Sequence, residues 1–193
     1  MLNLYERASK ALLASNAVRI PVEATRLKID GFKWAILSKA YAKDNGLLEG
    51  EFLESYAKTY SNFVLRLSNG SHAIIVDERC PMVERNYIIA HEIGHIVCGH
   101  TSLHGILGKS SDDRPQNPQE READAFALLL LAPPCILNNY GISEYEDIMK
   151  FTGVSEEHAK QIAGELQRYR RTKKTETENA LCEKFNRKVV CIE

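Results

Sequence analysis

The chain has 193 residues, 44% of them hydrophobic and 26% charged, and a formal net charge of −1. That length is enough for a sizeable core and points to one domain, with room for a small appendage. The composition excludes repeat, collagenous and disordered classes, and the near-zero charge excludes a global attraction to nucleic acid or to an acidic membrane surface. The first residues, MLNLYERASKALLASNA, interleave Glu6, Arg7 and Lys10 with apolar side chains and lack the core of a signal peptide. The longest apolar run, 125–134, falls short of the ~20 residues that span a bilayer, so no transmembrane helix is expected. Five cysteines without a C-x-x-C pair suit a reducing compartment, and a cytoplasmic location is expected.

In chain order, apolar spacing predicts helical stretches over 4–15 and roughly 34–60, separated by IPVEATRLKIDG, which reads as an extended segment and turn. Residues NFVLRLSNGSHAIIVDE then read as a β-hairpin, with Val-, Leu- and Ile-rich runs flanking Ser68-Asn69-Gly70-Ser71. From Glu84 to His100, Tyr87, Ile88, Ile89, Ile93, Ile96 and Val97 form a stripe at helical spacing that ends near Gly99. Residues 101–117 are polar and read as a long surface loop. Asn117 as N-cap, Pro118 at the first helical position and Glu120 where a capping-box acid stands open a second core helix, which stops at Pro133-Pro134. Further helices are predicted near Ser143 and from an N-cap at Ser155 to about Arg171. TKKTETENA is charged and reads as loose, and the closing KVVCIE as a short strand. The expected fold is α+β: a small sheet around 60–77, two helices carrying the site, and helical N- and C-terminal parts. The expected division is a helical segment over 1–59, a core domain over 60–171 and a charged tail over 172–193.

The strongest chemical signal is His91-Glu92-Ile93-Gly94-His95. Histidines at i and i+4 share a helix face, so both imidazoles can reach one ion. Glu92 then projects beside that ion, where a carboxylate can take a proton from a water acidified by the metal and pass it to a leaving amine. Both histidines interrupt an otherwise apolar helix, where unpaired polar groups are costly, and this argues against surface decoration. A catalytic zinc site takes a third protein ligand and leaves one position open. A further histidine six residues after His95 would serve, but that residue is Thr101, and His100 is one residue early for the ligand face. A carboxylate on the following helix remains. Glu120-Arg121-Glu122-Ala123-Asp124 fits the E-x-x-x-D arrangement of gluzincins, with Glu120 as ligand, Asp124 one turn on to accept a ligand's ring N–H, and Glu122 in reserve.

Asn86-Tyr87-Ile88-Ile89-Ala90-His91-Glu92-Ile93-Gly94-His95, then Glu120-x-x-Ala123-Asp124-x-Phe126-Ala127, then Leu128-Leu129-Leu130-Leu131-Ala132-Pro133, resembles the ImmA/IrrE family of bacterial and phage metallopeptidases. The family often has methionine before that proline and asparagine where Asp124 stands. The resemblance runs from about residue 60 to 171. It implies a minimal zincin-like core, Zn2+ as cofactor, cytoplasmic activity, and proteolysis of a DNA-binding helix-turn-helix repressor of a phage or mobile element.

The basic stretch Arg168, Arg170, Arg171, Lys173 and Lys174 reads as a solvated helix end complementing the helix dipole rather than a nucleic-acid contact. His100 and His104 are placed to line a cleft, and Tyr87 and Trp34 read as core aromatics. The alternative to an enzyme is a metal-binding regulator, or a component of a toxin system, that acts by holding a partner. Its mark would be the loss of Glu92 or of a ligand, and all are present.

Overall fold

The computed structural model describes residues 2–100, 107–108 and 117–186. In chain order these form α1 (Leu2–Leu13), β1 (Trp34–Ser38), α2 (Lys39–Asp44), α3 (Glu51–Thr59), β2 (Phe63–Arg66), β3 (His72–Val76), α4 (Met82–Cys98), β4 (Leu107–Gly108), α5 (Pro118–Leu131), α6 (Pro134–Asn139), α7 (Tyr145–Thr152), α8 (Glu156–Tyr169) and α9 (Glu176–Asn186). The class is α+β with helical termini, as the sequence led us to expect. The chain divides into two compact units, one of residues 31–124 and one of residues 1–30 with 125–193.

The unit 31–124 is built on a four-stranded sheet in the order β1-β3-β2-β4. β2 and β3 form the expected hairpin, with Phe63 opposite Ile75 and Arg66 opposite His72. Its turn works as the residues dictate: Gly70 takes φ +79°, and Asn69 Oδ1 accepts hydrogen bonds from the Ser71 amide and hydroxyl. The sheet is larger than the hairpin. Residues 34–38, expected to be helical, are a strand that pairs parallel to β3, because five mostly apolar residues gain more from the ladder than from a helix too short to be stable alone. Leu107–Gly108, inside the expected loop, add a short antiparallel edge to β2, and the rest of that loop lies outside the described residues.

Both faces of the central strands are buried, so β2 and β3 read as continuous apolar runs. One face puts Phe63, Leu65, Ala73 and Ile75 into a cluster with Ala42 and Leu48, and Tyr56 meets the Phe63 ring edge-on at 5.4 Å. α4 packs on β2 and β3 and so is held by its apolar stripe.

In the other unit α1 packs on α9, α6 on α8 and α9, and α7 on α8. Lys184 donates from Nζ to the carbonyls of Leu12, Leu13 and Ser15 at 2.7, 3.0 and 2.6 Å, placing a cation at the C-terminal end of α1. Ser155 caps α8 as expected, accepting from the His158 amide. The stretch from residue 176, expected to be loose, is instead helical and buries Leu181, Cys182 and Phe185. A capping box starts it: Thr175 Oγ1 accepts from the Glu178 amide while Glu178 Oε2 accepts from the Thr175 amide. The strand expected at the C-terminus lies outside the described residues. Among the described residues no helix is long and apolar enough to cross a membrane.

Phe63 is fully buried at the centre of its cluster. Phe63→Ala should therefore cost about 3–5 kcal/mol, read as a lower urea midpoint with an unchanged slope.

Candidate metal centre

Every residue of α4 from Ile89 to Ile96 is buried, so His91, Glu92 and His95 lie inside the protein rather than on a solvated helix face. Their exposures are 1%, 0% and 0%, and that of Glu120 on α5 is 4%. One helical turn brings the two imidazoles edge to face, with Nε2 of His91 and Nε2 of His95 3.0 Å apart. The Glu120 carboxylate closes the triangle: Oε2 is 3.4 Å from His91 Nε2 and Oε1 3.3 Å from His95 Nε2. One donor atom from each residue lies within 4.8 Å of the others, a group that could hold a metal ion.

The group fits a metal on its own chemistry. A tetrahedral ion with bonds of about 2.0–2.2 Å separates its donors by about 3.3–3.5 Å, close to the spacings found here. Burial pushes the His95 imidazole below its ordinary pKa, towards the neutral form. Burial alone would raise the Glu120 carboxyl, but the two imidazoles beside it outweigh that and hold it at about 2. A neutral imidazole and an ionised carboxylate are the forms that ligate.

α5 places these acids because Asn117 starts the helix where the sequence indicates, its Oδ1 accepting from the Gln119 amide at 3.0 Å. Glu120, which could have closed a capping box, turns to the histidines instead. Asp124, one turn on, has Oδ1 2.8 Å from His91 Nδ1. An ionised carboxylate only accepts, so His91 donates from Nδ1 and keeps its Nε2 lone pair for the triangle. The same Asp124 oxygen accepts from the Tyr87 hydroxyl at 2.8 Å, so Tyr87, expected to be a core aromatic, belongs to the site.

His100, read as off the ligand face, and Glu122, the acid held in reserve, meet each other behind His95. Gly99 takes φ +76° and ends α4 in a left-handed turn: its amide donates to the Ile96 carbonyl, and the His100 amide to the His95 carbonyl. This double closure is the Schellman motif, which brings the second residue past the helix end against the last turn but one. Usually that contact is apolar. Here it sets His100 Nδ1 3.0 Å from His95 Nδ1, and His100 Nε2 lies 3.1 Å from Glu122 Oε2. Cys98, His100 and Glu122 form a second group with donor atoms within 4.8 Å of one another. His104 lies outside the described residues.

The sequence profile of the IrrE N-terminal-like domain, a peptidase family, matches residues 53–162, more than half of the chain. The chain belongs to the ImmA/IrrE metallopeptidase family. No curated protein and no solved structure matches it. The span matched in this ImmA/IrrE member runs from α3 into α8 and contains all the residues of the triangle and its partners. Membership of a peptidase family implies a protein substrate.

Asp124 holds His91 through one hydrogen bond shared with Tyr87. Asp124→Ala should weaken binding of a divalent ion about 10- to 100-fold. Tyr87→Phe, which leaves the carboxylate in place, should weaken it less. Competition with a chromogenic chelator measures both.

Proposed function

We propose that this chain is a zinc-dependent endopeptidase in which His91, His95 and Glu120 hold the ion and Glu92 is the general base. The observation that carries the proposal is the buried triangle of His91 and His95 on α4 with Glu120 on α5, beside the Glu92 that α4 also buries. Two imidazoles and one carboxylate with a place left open are the donor set of catalytic rather than structural zinc sites. When bound, zinc would supply Lewis acidity, polarising a scissile carbonyl and making water a better acid.

The protein's own residues do the rest. Glu92, wholly enclosed, exchanges protons with groups in the site rather than with bulk solvent, and so can accept a proton from the attacking water and return it to the leaving amine. Asp124 and Tyr87 orient His91 so that its Nε2 stays available.

The substrate we assign is a DNA-binding helix-turn-helix repressor of a phage or mobile element, cut at a specific bond in the cytoplasm. This assignment is supported by the family to which the chain belongs and by the implied protein substrate.

The test pairs the wild type with Glu92→Gln, each assayed for zinc by elemental analysis and incubated with a helix-turn-helix repressor encoded beside its gene. Both proteins should carry about one zinc per chain. The wild type should release two defined fragments, and Glu92→Gln should be slower by at least about 10²-fold. Zinc without cleavage of any such repressor would overturn the substrate assignment, and a wild type without bound metal would overturn the site.

A further inference from the structure

Once the donors are assigned, the chain of hydrogen bonds behind His95 remains. His95 Nδ1 and His100 Nδ1 are 3.0 Å apart, His100 Nε2 and Glu122 Oε2 3.1 Å apart, and both histidines are buried. A neutral imidazole has one donor and one acceptor nitrogen, and a carboxylate only accepts. Glu122 therefore fixes the direction of the whole chain. His100 donates to it from Nε2, so His100 Nδ1 must accept. His95 must then donate from Nδ1, which leaves the lone pair on His95 Nε2 facing His91 and Glu120.

We propose that His100 and Glu122 are positioning residues whose hydrogen-bond chain holds His95 in the one tautomer that can bind a metal. The inference rests on His95 being a ligand, as read above. No charge changes along the chain; only the order of two protons matters. The arrangement complements that of His91, whose Nδ1–H meets Asp124 directly. At His95 the Nδ1 partner is His100, which bridges it to Glu122, whose side chain reaches 40% exposure.

The same proton order decides what the second group can do. His100 faces Glu122 with Nε2, the atom through which it would share an ion with that carboxylate, and in the chain that atom carries a proton. An ion there would require His100 to bear its proton on Nδ1, which would place a proton on His95 Nε2 and remove it as a ligand. The cluster therefore supports the first site and is not an independent second one.

Two measurements test this. In metal-free protein labelled with ¹⁵N in its imidazoles, NMR should show His95 protonated at Nδ1 and His100 at Nε2; the opposite tautomer at His95 overturns the inference. Zinc affinity, read by chelator competition, should fall about 10- to 100-fold in His100→Leu, which has no acceptor, and recover in part in His100→Asn, which has one. At Glu122 the variants should separate: Glu122→Gln stays close to wild type through its carbonyl, Glu122→Ala loses some affinity, and Glu122→Lys loses most because a pure donor reverses the chain. The Lys effect should persist at high salt, where a through-space repulsion would be screened. Equal affinities for Gln, Ala and Lys would overturn the proposal. So would a thiolate-to-metal charge-transfer band that disappears in Cys98→Ser when the protein is loaded with cobalt. If the wild type binds no metal, the site reading fails while the NMR result still judges the hydrogen-bond chain.

Discussion

Burying imidazoles inside an apolar helix obliges the rest of the protein to answer for each of their nitrogens. An unpartnered polar group in such a place costs on the order of 1–3 kcal/mol, and α4 buries two rings one turn apart. The structure meets that demand with one short segment. Glu120 and Asp124, four residues apart on α5, face the two sides of His91, and Glu120 also reaches His95. Glu122, between them in sequence, lies on another side of the helix and meets His100. Glu120, in the first turn, suits the positive end of the helix dipole, so an acid that completes the site also favours the helix that carries it.

The sheet serves that arrangement from below. β2 and β3 are buried on both faces, with a compact apolar cluster on one side and α4 packed against the pair. A helix held by the buried side chains of Ile89, Ile93 and Ile96 has little freedom to roll, and that fixes the direction in which His91 and His95 point. Rigid elements of this kind hold functional groups in place better than loops do.

Much of this was legible in the residues. His91, His95 and Glu120 could be named because helical periodicity puts i and i+4 together and because a metal needs a third donor. The hairpin, the Asn117 and Ser155 caps and the Asp124 contact followed from equally local rules. What escaped did so for identifiable reasons. Trp34–Ser38 is a strand because of a partner, β3, some forty positions away, which no local pattern reveals. The helix Glu176–Asn186 was masked by charge, although Thr175 and Glu178 spell out its capping box. The contact of His100 with His95 escaped because it depends on the left-handed turn at Gly99. A side chain added to Gly99 would meet nothing within 4 Å, so conformation alone, not space, calls for glycine there.

The separation of the donors along the chain has a thermodynamic side. His95 and Glu120 bracket about two dozen residues, and an ion gripping both acts as a crosslink across that stretch. On the chain-entropy account used for disulfides, closing a loop of this size removes freedom from the unfolded chain worth on the order of 3 kcal/mol. On the proposed function the centre would be a fastener as well as a reaction site, and a cell that starves the protein of metal would lose part of its folded population along with its activity.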